Sequence, residues 1–203
     1  MQSPFSEKSN FSSTASSVGA IGAVEKLCVT HQTPDTKAIH STETCKPPPG
    51  PTHPHPPPIP PQALAAALKL RPDRKLVISE RSNFPTDLYM IEGLVSLLDD
   101  SYTLRLVDNY HLPSSIDSSV AAVVVTHVNY RTGRMLDMAS ISAAIQGVGA
   151  LAIWDLAHSA GAMPLHLSAA NVDFAVGCGY KYLNGGPGAP AFIYVAKCIR
   201  MEV

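Results

Sequence analysis

From Gln62 onward the apolar positions recur with regular periods, and those periods switch repeatedly between helix and strand. Residues 63–70 form a short alanine- and leucine-rich helix pattern, and residues 75–79 are apolar and β-branched enough for a strand. Residues 85–98 repeat their apolar positions at helical spacing, with Pro85 suited to a first helical turn, and residues 102–107 then alternate as a strand. Residues 121–126 are a continuous valine-rich run, the pattern of a strand covered on both faces in a parallel sheet. An amphipathic helix is predicted over 137–148, followed by strands over 151–154, 172–177 and 191–195. Alternating strands and helices imply βαβ units, so the expected class is α/β, a mainly parallel sheet with flanking helices. Ligands of such sheets gather at the carboxyl ends of the strands.

Composition changes the picture before Gln62. Twelve of the 18 prolines lie at or before Pro61, that segment has no Tyr or Trp, and it is rich in Ser and Thr. The run PPPGPTHPHPPPIPPQ cannot supply backbone donors to a helix or sheet and favours extended polyproline geometry. The expectation is a disordered tail over 1–61 and one folded unit over 62–203. Within the tail, the proline run has the form of a PxxP ligand for SH3 or WW domains, His53 and His55 make only a weak metal site, and Asn10-Phe11-Ser12 matches a glycosylation sequon.

A chain of 203 residues with a formal net charge of −1 has no basic stripe, which argues against a nucleic-acid partner and for small-molecule chemistry. No apolar stretch approaches the roughly 18 residues needed to cross a bilayer, and the first arginine is Arg71, which speaks against an arginine-rich transit peptide. A soluble, cytoplasmic protein without a membrane partner is expected. Cys28, Cys45, Cys178 and Cys198 form no CxxC pair, so reduced thiols and no metal centre are expected.

Two segments carry candidate chemistry. In WDLAHSAG, residues 154–161, an apolar strand ends in Asp155, which places a carboxylate at the ligand edge of the sheet, although an aspartate there also serves as a turn or helix cap. In GCGYKYLNGGPG, residues 177–188, Lys181 follows another apolar strand among glycines that let backbone approach a ligand closely. Lys181 lies 26 positions after Asp155, about one helix and one strand, so adjacent strand ends would converge. A lysine that bonds to an aldehyde and a carboxylate that keeps a ring nitrogen protonated are the two groups pyridoxal 5'-phosphate requires. Phe84, Pro85, Thr86 and Asp87 follow one predicted strand and Thr126 and His127 another; singly, each also reads as core, helix start or satisfied polar group.

NFPTDLYM (83–90), THVNYRTGRM (126–135), WDLAHSAG and YKYLNGGPG (180–188) resemble the motifs of the kynureninases, in the same order and at similar spacing, over about residues 64–195. The resemblance implies an incomplete large domain of the pyridoxal-phosphate-dependent transferase fold type I, a homodimer, and hydrolysis of L-kynurenine or 3-hydroxykynurenine to anthranilate or 3-hydroxyanthranilate and L-alanine, in tryptophan catabolism and NAD biosynthesis. It implies that Lys181 carries the cofactor and moves the α-proton, and that Asp155 pairs with the pyridine nitrogen. His158 lies beside the ring, and Phe84 stacks on it. Thr126 and the Phe84, Pro85, Thr86, Asp87 segment contact the cofactor. Tyr180 reaches the phosphate and is the candidate proton donor in carbon–carbon cleavage.

Two features of that family have no counterpart in this sequence: a phosphate-gripping helix start upstream of FPTD, and a C-terminal domain with the arginine that binds the substrate carboxylate. Losing one such charged contact costs about 2–5 kcal/mol, roughly 30-fold to several-thousand-fold in affinity, so the polypeptide alone is expected to have little or no kynureninase activity. Two other readings compete. A cysteine desulfurase of the same fold usually has a histidine directly before the lysine, where this chain has Tyr180. A non-catalytic interaction protein would use the proline run as bait.

Overall fold

The computed structural model describes residues 60–201. The tail with its PxxP run, its two histidines, its sequon and the cysteines Cys28 and Cys45 lies outside them, apart from Pro60 and Pro61. Those two prolines open a helix rather than closing a tail: α1 spans Pro60–Leu70. Proline is compatible with a first helical turn, because the N–H it lacks has no helical acceptor there.

β1 (Leu76–Glu80), α2 (Pro85–Leu98), β2 (Thr103–Val107), β3 (Val120–Thr126), α3 (Met138–Gly147), β4 (Leu151–Asp155), β5 (Phe174–Cys178) and β6 (Ala191–Val195) follow, with short 3₁₀ turns near residues 110, 114 and 200. The six strands form one sheet in the order β2-β1-β3-β4-β5-β6, parallel except for β6, which runs antiparallel to β5. Every residue of β3 and β4 is buried, as the valine-rich run of β3 predicts. Edge strand β2 alternates exposed and partly buried positions before Val107.

The chain passes from β1 outward to β2 and then returns to the other side of β1 as β3. The carboxyl ends of β1 and β3 therefore flank a topological switch point, where open α/β sheets hold their ligands. At the opposite edge, Arg71 and Arg74 clamp the turn after α3. Arg71 Nε donates to Gly149 O at 2.7 Å, and Arg74 donates to Val120 O and Val148 O at 3.0 and 2.8 Å.

Asp137 caps α3 by accepting from Ser140 N–H. On the buried face of that helix, Ser142 Oγ accepts from the indole N–H of Trp154 at 3.0 Å, and both residues are fully buried. Ser142→Ala leaves that indole donor without its partner and is expected to cost about 1–3 kcal/mol, read as a lower urea midpoint at unchanged slope. Among the described residues no helix is long and apolar enough to cross a membrane.

Candidate active site

The sheet's carboxyl edge gathers side chains from four successive strand ends. Phe84 and Asp87 lie at the start of α2, after β1; Thr126 ends β3; Asp155 ends β4, with His158 in the turn beyond it; Lys181 lies in the loop that leads from β5 back into β6. The Thr126↔Asp155 pairing across β3 and β4 sets the register of two of them.

Lys181 Nζ lies 3.0 Å from His158 Nε2, 5.5 Å from the centre of the Phe84 ring and 5.8 Å from that of Tyr180. Burial, and then the Lys181 charge, hold His158 below the usual imidazole range, which keeps its ring neutral at pH 7. With the lysine nitrogen donating, Nε2 accepts and the ring proton is assigned to Nδ1. That Nδ1 is buried and has no protein partner.

Asp155 is nearly fully buried; burial raises its carboxyl above the usual range, opposed by the Ala157 N–H that Oδ1 accepts at 2.8 Å and by Lys181. Burial and the neighbouring Asp155 push Asp87 up to about 7, again opposed by Lys181, and its Oδ2 is a second buried atom without a partner. Two acids, one amine, one neutral imidazole and unspent polar capacity therefore meet beside an aromatic face. That set can take a ligand carrying an aldehyde, for the amine, and a basic ring nitrogen, for a carboxyl group, against the aromatic face.

Of the residues expected here, Phe84, Asp87, Asp155, His158 and Lys181 form this cluster. Tyr180 adjoins it; burial, then its contact with Cys178, raises its phenol above the usual range, so it keeps its proton at neutral pH. Thr126 stands at the edge, with its hydroxyl donating to Asn83 Oδ1. Pro85 and Thr86 are exposed in the first turn of α2 and share no described hydrogen bond with the cluster.

Two site residues escaped the sequence reading. Tyr130 packs edge-on against Phe84 at 5.1 Å and stacks on His158 at 6.4 Å between ring centroids, and Asn83 links β1, α2 and β3. Both sit inside the quoted motifs; the signal available was their position next to Phe84 and just beyond the β3 strand end.

Glu80, at the end of β1, is buried with Oε1 unpaired, and burial pushes it up to about 7 against the opposing charge of Arg134. An acid raised above its ordinary value of 4.5 stabilises the fold while protonated; that stability is fully present below about pH 4.5 and is lost as pH rises through about 7. Glu80→Gln is expected to match the parent in thermal midpoint near pH 4 and to exceed it at pH 8; equal midpoints at both would show that Glu80 is solvated.

The class-V aminotransferase family model matches residues 100–198. Kynureninase from Pseudomonas fluorescens is 54% identical over 140 residues, which covers 66% of this chain and 34% of that protein. Kynureninase from Burkholderia mallei (strain SAVP1) is 57% identical over 127 residues, covering 62% and 30%. The chain thus spans about a third of the length of the curated relatives it matches. Among solved structures, a mutant of the cystine C–S lyase C-DES, solved with glycine covalently linked to its PLP cofactor, superposes with a TM-score of 0.57 at 19% identity, over 64% of this chain and 37% of that one. At that identity the likeness shows the fold alone. The described residues have the fold of part of the large domain of the fold type I pyridoxal-phosphate enzymes, and the chain is a partial match to kynureninase.

Proposed function

We propose that this chain is the cofactor-binding portion of a kynureninase-type hydrolase, which takes pyridoxal 5'-phosphate and acts on L-kynurenine or 3-hydroxykynurenine to release anthranilate or 3-hydroxyanthranilate and L-alanine. The observation that carries the reading is the Lys181 amine held 3.0 Å from His158 Nε2, above the Phe84 ring and within the field of the buried Asp155 carboxylate. The identity of 54–57% with kynureninases supports the choice of substrate.

When bound, pyridoxal phosphate supplies an electron sink for charge developing on the substrate carbon. Lys181 Nζ is the group to bond covalently to the cofactor aldehyde and, once released by substrate, to carry the α-proton. Asp155 Oδ1 is already occupied by Ala157 N–H, leaving the second oxygen to hold a proton on a ring nitrogen. Phe84 offers a stacking face, and His158 orients the lysine through Nε2. Asp87 and the Pro85-Thr86 turn line the start of α2, where helix N–H groups favour anions. The Tyr180 phenol, protonated at neutral pH, is placed near Lys181 to donate a proton during cleavage of the carbon–carbon bond.

The same reading places the enzyme in the cytoplasm as a homodimer, without nucleic-acid or membrane partners. The net charge of −1 supports the absence of nucleic acid. To test the activity, this chain's matched segment is substituted for its counterpart in the Pseudomonas fluorescens kynureninase, and L-kynurenine and L-cysteine are offered in parallel. Release of anthranilate without sulfide is expected. Sulfide without anthranilate would overturn the assignment in favour of a desulfurase.

A further inference from the structure

Asn83 is 3% exposed, and both ends of its side-chain amide are engaged. Nδ2 donates to Ser79 Oγ at 3.1 Å, and Oδ1 accepts the Phe84 N–H at 2.7 Å and the Thr126 hydroxyl. Ser79 spends its own proton on Val124 O at 2.8 Å, so its oxygen is the acceptor for Asn83. That chain of donors decides which end of the amide is nitrogen. Because Oδ1 carries no proton, Thr126 must be the donor in its contact with Asn83. Toward anything bound at the end of β3, the Thr126 hydroxyl therefore presents lone pairs and not its proton.

The same oxygen anchors the first backbone group of the Phe84 segment. Phe84 is the residue immediately before α2, and no side chain caps that helix at Phe84 itself. Asn83 thus ties a stacking ring and a polar strand end, contributed by residues 43 apart in sequence from the amide to the hydroxyl, to one buried group.

We propose that Asn83 is a positioning residue of the cofactor site: by accepting the Thr126 hydroxyl proton and the Phe84 N–H together, it ties the carboxyl end of β3 to the Phe84 stacking face and so sets the position of both around pyridoxal phosphate. The proposal rests on the cofactor reading above.

The test is the dissociation constant of pyridoxal phosphate, from titrations of the full chain followed by visible absorbance, with cooperative thermal unfolding checked for each variant. Asn83→Leu keeps the approximate shape and removes every polar contact; it is expected to weaken binding tenfold or more. Asn83→Asp keeps an acceptor for both donors, and its charge lies just ahead of a helix N-terminus that favours it, so binding is expected within threefold of the parent. Thr126→Val is also expected to weaken binding, and Asn83→Leu combined with it should lose less than the product of the two single losses.

Unchanged affinity in Asn83→Leu overturns the proposal, as does an Asn83→Asp variant as weak as Asn83→Leu, or single losses that simply multiply. If Asn83→Leu does not unfold cooperatively, Thr126→Val decides alone, and unchanged affinity there overturns the proposal. A parent chain that does not bind pyridoxal phosphate overturns the cofactor reading and this inference with it, whereas a binding parent with unaffected variants overturns this inference only.

Discussion

Asp155→Asn is expected to weaken pyridoxal phosphate binding roughly 30-fold to several-thousand-fold while making the ligand-free chain more stable. The two effects have opposite signs if, as proposed, the cofactor supplies the partner for which this carboxylate is buried. Without that partner, burial raises the Asp155 pKa, so the ionised form is penalised in the fold at neutral pH. Asparagine keeps an acceptor for the Ala157 N–H, which Oδ1 now accepts at 2.8 Å, and it removes the unpaired charge. It cannot hold a proton on a pyridine nitrogen as a carboxylate does. Cofactor titration and thermal unfolding of the free chain check the pair of outcomes. A variant that loses stability and affinity together would show that Asp155 is a structural cap, the bland reading its sequence context also allows.

Gly161→Ala is expected to destabilise the chain by about 3 kcal/mol or more, a fall in thermal midpoint of roughly 10 °C, and to detach Lys181 from His158. Gly161 has φ of +85°, and a methyl group built on it would stand 2.4 Å from the Tyr182 carbonyl oxygen, a backbone atom that cannot swing aside. The turn after Asp155 and the loop bearing Lys181 pack closely at this point, backbone on backbone, so relief of the clash must displace one against the other. Gly133 is the control: its φ is +68°, yet nothing lies within 4 Å of the added methyl. Gly133→Ala therefore costs the strain alone, about 1–2 kcal/mol. Equal midpoints for the two variants would show that the Lys181 loop is free to move.

The parts of the fold that were legible in the sequence are those whose signal is local. The valine-rich run of β3 announces a strand with two buried faces, and the helical spacing of residues 85–98 matches α2 end for end. Strand ends shifted where polar residues take part in the sheet. Glu80 extends β1 as a buried acid, and β5 starts at Phe174, after Asp173 turns its carboxylate to accept from Ala152 N–H at 2.8 Å. A five-residue apolar run also carries no direction. β6 is antiparallel because the loop over 179–190 closes back on itself, with Gly179 N–H donating to Pro190 O at 2.9 Å, and so delivers Lys181 to the same edge as Asp155.

Asp155, Lys181 and Phe84 were legible as candidates because a charge or a ring after an apolar strand has few purely local explanations. Asn83 and Tyr130 were not. An asparagine before a helix reads as a turn residue, and its role appears only when Thr126 arrives from 43 residues away. Tyr130 becomes part of the site only through its contacts with Phe84 and His158, which come from different loops.

On the proposed function, Lys181 and Asp155 serve one cofactor. The most direct measurement adds pyridoxal phosphate to the purified chain, fixes any visible absorption band with borohydride and maps the modified peptide by mass spectrometry. A band in the parent chain and label on Lys181 are expected, and neither in Lys181→Ala. A band that persists unchanged in Lys181→Ala, or label confined to other lysines, would contradict that reading.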